Sequence, residues 1–168
     1  MAASPVKAKK RKAGDADGDG GSELPVLGDL KKMKAGELKV ALSAYGLPKD
    51  GTKAQHIQRL DEVKKRQETE ARYSGLSVDA LKAMCALNGQ IKGGNKADLV
   101  VRCTDGKLYG ALPRCTLCGI GLLKVVYATK YGHGGQGRFT CPGGYDDDAY
   151  VRCSFTADAV ERKPWVEE

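Results

Sequence analysis

The feature that most constrains this chain is the placement of its cysteines. Cys115 and Cys118 form a C-x2-C pair, and Cys141 and Cys153 follow beyond a long insert. Two thiolate pairs so spaced commonly build a closed tetrahedral metal site. Gly119 follows the first pair and Pro142-Gly143-Gly144 follows Cys141, and glycine there lets the backbone fold around a metal with its amides turned toward sulfur. The pattern favours one structural Zn2+ over an iron–sulfur cluster or free thiols, with no open position for catalysis. His133, the nearby histidine, lies in the glycine-rich run Tyr131-Gly132-His133-Gly134-Gly135-Gln136-Gly137 and is expected to be exposed rather than a ligand.

The insert between the cysteine pairs has β-favouring runs at Leu122 to Tyr127 and at Arg138-Phe139-Thr140, on either side of that glycine-rich stretch. These predict a hairpin carrying a long mobile loop. Tyr150 to Phe155 is expected to supply a third strand, which makes the sum a zinc ribbon.

The preceding half is helical in pattern. Leu38, Ala41, Leu42 and Tyr45 fall at i, i+3, i+4 and i+7, and Ala54, Ile57 and Leu60 form a second stripe after Thr52, an expected N-cap. The turn Gly46-Leu47-Pro48-Lys49-Asp50-Gly51 separates them. The pattern returns without a gap when Leu38 is laid on Leu81: Lys39 meets Lys82, Gly46 meets Gly89, Lys49 meets Lys92, Gly51 meets Gly94, Lys53-Ala54 meets Lys96-Ala97, and Arg59 meets Arg102. This alignment puts Cys85 on Leu42 and Cys103 on Leu60, so both are read as buried thiols in a second helical core rather than metal ligands. Between the units, Asp61 to Arg72 is rich in charge and free of Gly and Pro, which predicts a solvated helix continuing from the first unit and broken at Tyr73-Ser74-Gly75.

Charge bears on partners. With 28 Lys plus Arg against 21 Asp plus Glu, the net charge of +7 favours a polyanion. Residues 1–22 offer almost nothing to bury and are expected to be disordered. Within them Lys7, Lys9, Lys10, Arg11 and Lys12 read as a nuclear localisation signal or nucleic-acid-attracting arm. No apolar run approaches the roughly 20 residues of a membrane span, and the start lacks the apolar core of a secretory signal. The expectation is a nuclear protein with no membrane partner.

Residues from about Leu27 to Asp61, with Glu37-Leu38-Lys39, Gly46-Leu47-Pro48, Gly51-Thr52-Lys53-Ala54 and Arg59-Leu60, resemble a SAP domain, a short DNA-binding helical module of chromatin proteins. Residues from Gly75 onward resemble the third, PADR-type zinc-binding domain of poly(ADP-ribose) polymerases. There a helical half leads through Asp-Gly-x-x-x-Gly-Ala-Leu, here Asp105 to Leu112, into a four-cysteine ribbon; the match continues to Lys163-Pro164-Trp165-Val166. The second resemblance implies that Tyr150, shortly before the last cysteine, is a candidate interdomain contact; Trp165, a lone tryptophan near the terminus, reads first as a core anchor and otherwise as a second candidate interdomain contact beside the ribbon. The chain departs from that family in its glycine-rich insert and in Asp146-Asp147-Asp148, which would repel phosphate.

The expected architecture is α+β: a basic tail (1–22), a SAP-like helical unit (23–62), a charged helical linker (63–74), and a zinc-binding domain whose helical half (75–112) leads into an antiparallel zinc ribbon (113–168). The leading function is a nuclear DNA-binding module that docks on double-stranded DNA or chromatin through the N-terminus of the second helix. Gly51, Thr52 and Lys53 would meet phosphate, with Arg59 further along the helix and Lys34 and Lys39 extending the patch. The alternatives are a protein-interaction scaffold and the regulatory fragment of an NAD+-dependent ADP-ribosyltransferase, partnered by a polymerase-type domain. No catalytic set is visible in the sequence.

Overall fold

A computed structural model describes residues 23–167; the basic cluster Lys7 to Lys12 lies outside them. The chain is α+β, with four helices followed by five short strands among the described residues. Helices α1 (Ala35–Ala44) and α2 (Lys53–Ser74) form the first unit. Its core gathers Leu38, Leu42, Leu47, Leu60 and Val63, which is the periodic stripe expected of two amphipathic helices. Helices α3 (Val78–Leu87) and α4 (Lys96–Tyr109) form the second unit, with Leu81, Cys85, Leu99 and Cys103 at its centre. Cys85 and Cys103 face each other at 3.7 Å, fully buried, where the first unit has Leu42 and Leu60.

The duplication extends to details of the backbone. Gly46 and Gly89 both sit near φ +65 (68 and 63), and Gly51 and Gly94 at φ 101 and 113, conformations open to glycine without steric strain. Leu47 donates to the Leu42 carbonyl at 2.8 Å as Gln90 donates to Cys85 at 2.7 Å. Thr52 and Gln55 form a reciprocal capping box on α2, and Asn95 and Asp98 form its counterpart on α4.

Helix α2 continues through the charged segment, as the absence of Gly and Pro implies, and ends at Gly75. It is not solvated on all sides. Val63, Arg66 and Tyr73 are buried, and Arg66 pairs with Asp105 of α4 at 2.8 Å and with Glu70 at 3.1 Å. The charges thus conceal a second apolar face that packs the two units together, with the buried guanidinium paired on both sides.

Beyond α4, strands β1 (Lys124–Val126), β2 (Arg138–Thr140) and β5 (Thr156–Ala157) form an antiparallel sheet in the order β1-β2-β5. Val125 lies opposite Phe139, which lies opposite Ala157. The expected third strand is therefore displaced. Ala149–Val151 is β4, paired instead with β3 (Gly144–Asp146) in a separate hairpin. The turn at Asp147, φ 49, reverses the chain there, so that the ribbon sheet is completed only after Cys153.

The glycine-rich stretch also differs from expectation. It is packed against the helices: Tyr131 meets Tyr45 edge to face at 5.4 Å, His133 stacks on Tyr127 at 3.7 Å, and Gly135 is buried against Tyr109. Lacking side chains, these glycines let the backbone approach where any Cβ would collide.

Candidate metal centre and nucleic-acid interface

The sulfurs of Cys115, Cys118, Cys141 and Cys153 lie within 4.8 Å of one another. Cys115 and Cys118 flank the tight turn that closes with Gly119 N–H donating to the Cys115 carbonyl at 2.9 Å. Cys141 follows β2 directly and Cys153 precedes β5, so the sheet brings the second pair to the first.

Four sulfurs about 2.3 Å from a central zinc define a tetrahedron with edges of about 3.8 Å. The Cys115–Cys153 and Cys118–Cys141 separations are both 3.7 Å. The donor set and its size therefore fit a tetrahedral metal ion. The surrounding backbone fits as well: Gly121 N–H donates to Cys118 Sγ at 3.4 Å and Gly143 N–H to Cys141 Sγ at 3.3 Å. The amides of Gly121 and Ile120 pull the Cys118 thiol down to about 6, which favours the thiolate that a metal requires. A Cβ on Gly121 would lie 2.2 Å from Cys141 Sγ, so this position has room for glycine alone.

His133 stands apart from the cysteine cluster and is not exposed as the glycine context suggested. Its Nδ1 accepts from Gly135 N–H at 3.0 Å, while its Nε2 is buried without a partner. Burial first, then the Arg66 guanidinium, holds its pKa below 6.5, against the opposing pull of Asp105 and Glu62.

In the first helical unit the loop Leu47 to Gly51 delivers the chain to α2. Thr52 caps the helix, accepting from Gln55 N–H at 3.4 Å while Gln55 Oε1 accepts from Thr52 N–H at 2.8 Å. The next two amides, Lys53 and Ala54, open the helix without intrahelical acceptors. Lys53, Gly51 and Thr52 are exposed, and so are Lys34, the N-cap of α1, and Lys39.

Arg59 is placed differently. Its Nη1 donates to the carbonyls of Pro48 at 2.9 Å and Asp50 at 2.6 Å, and its Nη2 lies 3.7 Å from the Asp50 carboxylate. The guanidinium is turned into the loop and braces it, with the side chain still 27% exposed. Arg102 does the same in the second unit, on the carbonyls of Ile91 and Gly93. The Arg59–Arg102 match in the sequence repeat carried this signal, since a brace must recur wherever the loop recurs.

Tyr150 and Trp165 are also separated. Tyr150 is 50% exposed on the β3–β4 hairpin, edge to face with Tyr145, which is 70% exposed. Trp165 instead packs, partly buried, against the core of the second unit and over Gly106, where a Cβ would lie 2.1 Å from its ring. The tail around it is fixed by Ala111–Lys163 backbone pairing, by Asn88 bonding Val166 twice at 2.8 Å, and by Glu167, which accepts from Lys107 at 2.8 Å and from the Tyr73 hydroxyl. Sequence reasoning missed this strap.

Among the described residues, no helix is long and apolar enough to cross a membrane. Residues 29–62 match the SAP domain family. Over 90 residues, 54% of this chain, the sequence is 33% identical to poly(ADP-ribose) polymerase 1 of Oryza sativa subsp. japonica, and the matched segment spans 8% of that protein.

Proposed function

We propose that this chain is a nuclear, zinc-stapled DNA-binding module, similar to a regulatory part of a poly(ADP-ribose) polymerase and without catalysis of its own. The observation that carries the reading is the exposed N-terminus of α2 within the SAP-matching segment, presented by a rigid braced loop. Free amides and the helix dipole there favour a phosphate, and Lys53 adds a charge beside them. Gly51 and Thr52 shape the approach, Lys34 and Lys39 widen the patch, and Arg59 serves by holding the loop. Contacts of this kind go to the DNA backbone, so base discrimination is weak and binding falls steeply with salt.

In this reading the unit over 23–62 binds the duplex and the residues from 75 onward form a PADR-type zinc domain, joined by the helix over 63–74. Cys115, Cys118, Cys141 and Cys153 would hold one Zn2+, whose part is structural: it ties the two cysteine pairs into one folded ribbon. The basic cluster Lys7 to Lys12 would direct the chain to the nucleus.

A second reading, a protein-interaction surface, is favoured by the exposed Tyr145–Tyr150 pair on the β3–β4 hairpin. A polymerase-type partner domain would cover these rings, with Tyr150 as the contact; Trp165, packed on the second helical unit, would not be part of that surface.

Titration of a short duplex at two salt concentrations tests the first reading. Lys53→Glu should weaken binding by about tenfold and reduce the salt slope by about 1, while Lys96→Glu in the second unit should change little. Equal losses from both variants would remove the distinction between the units, and no loss from Lys53→Glu would remove the proposed surface.

A further inference from the structure

We infer that the glycine-rich segment 127–137 is a latch by which the metal centre keeps the phosphate-binding loop of the first helical unit in its binding shape, so that DNA affinity depends on the bound metal. The inference rests on the DNA-binding reading above and assigns a regulation to that same surface.

The latch starts at the ribbon. It is flanked by the last residue of β1 and the first of β2, Val126 and Arg138, which are paired to each other. Strand β2 runs straight into Cys141, whose amide is bonded to the Phe155 carbonyl. The base of the latch is thus fixed by a pair of strands, one of which leads directly into a candidate metal ligand.

Its tip lands on the first unit. Tyr131 packs against the α1–α2 core and meets the Tyr45 ring at 5.4 Å and 87°. Gly132, at φ 76, comes so close to Leu47 that a Cβ would lie 2.5 Å from Leu47 Cδ2. Lys130 reaches Glu70 on α2 at 3.5 Å. Between base and tip, His133 stacks on Tyr127, and Gly135 presses on Tyr109 of α4 and accepts from Arg162 at 2.7 Å.

Tyr45 and Leu47 flank Gly46, the turn that opens the loop to α2. The Tyr45 hydroxyl is held in turn, donating to Pro25 O at 2.7 Å and accepting from Gln67 at 3.1 Å. The loop that follows is the one braced by Arg59 through Pro48 and Asp50. Arg59 grips the far half of this loop, and Tyr131 with Gly132 covers the near half. If the ribbon melts on metal loss, the tip is released, Leu47 and Tyr45 lose their cover, and the loop keeps one anchor where it had two.

The test uses the full chain, zinc-loaded, beside Tyr131→Ala and Gly132→Val, with three readings on each sample: zinc per chain, hydrogen exchange at the amides of residues 46–53, and affinity for a short duplex at low salt. Both variants should retain zinc while exchange in the loop quickens by about tenfold and duplex affinity falls by about fivefold. Chelation of the parent chain should reproduce both effects. Lys53→Glu should lose affinity with unchanged exchange, separating loss of contact from loss of shape. Tyr131→Ala lies outside the cysteine cluster and decides the matter if Gly132→Val loses its metal. Zinc-retaining variants that exchange at the parental rate, or that exchange faster yet bind DNA equally, overturn the latch. A parent chain that fails to bind duplex at low salt overturns the DNA reading, while the exchange data still establish or refute the mechanical coupling.

Discussion

The two helical units share a backbone and differ in what surrounds it. Both have the same two glycine turns, the same arginine brace and the same kind of capping box. In the first, the third residue of the second helix is the neutral Gln55; in the second it is Asp98, whose carboxylate already lies against the helix N-terminus. An anion held there satisfies the dipole and repels phosphate. The termini diverge too. Tyr45 of the first unit ties down the N-terminal strap at Pro25, whereas Asn88 at the matching place ties down the C-terminal strap at Val166. Val63 fills its own core, but its counterpart Gly106 leaves a space that Trp165 occupies. The difference teaches that duplication can preserve a scaffold while one copy keeps an open binding edge and the other becomes a docking frame for later chain.

The comparison can be broken by perturbing what the units do not share. The largest effect is expected from Cys141→Ser, since apparent zinc-binding energies in small sites are about 10–16 kcal/mol. The ribbon should melt, and hydrogen exchange should rise most in the second unit, whose strap leaves the ribbon, next in the loop of the first, and least in the remainder of the first. Equal protection in both units would show that the strap does not distinguish them. Trp165→Ala should destabilise the second unit by about 2–3 kcal/mol, less than the emptying of a fully buried aromatic site because the ring is partly exposed, with α1 little affected by denaturant. Gln55→Asp gives the first unit the acidic cap of the second and should weaken duplex binding by roughly two- to fivefold, leaving thermal stability near the parental value.

The smallest effect concerns pH. His133 has a folded pKa below the ordinary 6.5, so as pH falls beneath that value the unfolded segment takes up a proton that the packed one resists. The latch is therefore firm above about pH 6.5 and loosens as pH drops toward the folded pKa. The groups facing the ring are Arg66 and Glu62 of α2, Asp105 and Tyr109 of α4, and Tyr127 of the segment itself. Exchange in residues 127–137 should quicken on acidification in the parent chain, and His133→Gln should flatten that dependence.

The helical repeat was readable because each of its parts has a local cause: apolar spacing, a cap, and a glycine where φ is positive. The cysteine quartet was readable for the same reason, as ligand chemistry dictates residue type. What escaped was decided by packing between distant segments. A run of glycines reads as mobile because its backbone is permissive, yet here the missing side chains admit Leu47 and Tyr109 at close range. The strand at Thr156–Ala157 is too short to leave a pattern, and the Tyr150 run that looked like the third strand pairs with Gly144–Asp146 instead. Arg59 was assigned to phosphate by its charge, and its bonds to the loop carbonyls, repeated by Arg102, came from packing that charge alone does not reveal. The charges of α2 concealed the buried Arg66–Asp105 pair, which no local period reveals.

The tryptophan seated on Gly106 also sets an order of events on the ribosome. The first unit contains nearly all of its own core by the end of α2, and it can collapse as soon as that helix has left the exit tunnel. The second unit waits for a side chain about sixty residues beyond the glycine that receives it. At roughly 5–20 residues per second, α3 and α4 remain incompletely packed for several seconds of synthesis. During that interval the face of α4 at Gly106 lacks its cover, and the nascent chain passes through its most vulnerable stage with its N-terminal module already formed.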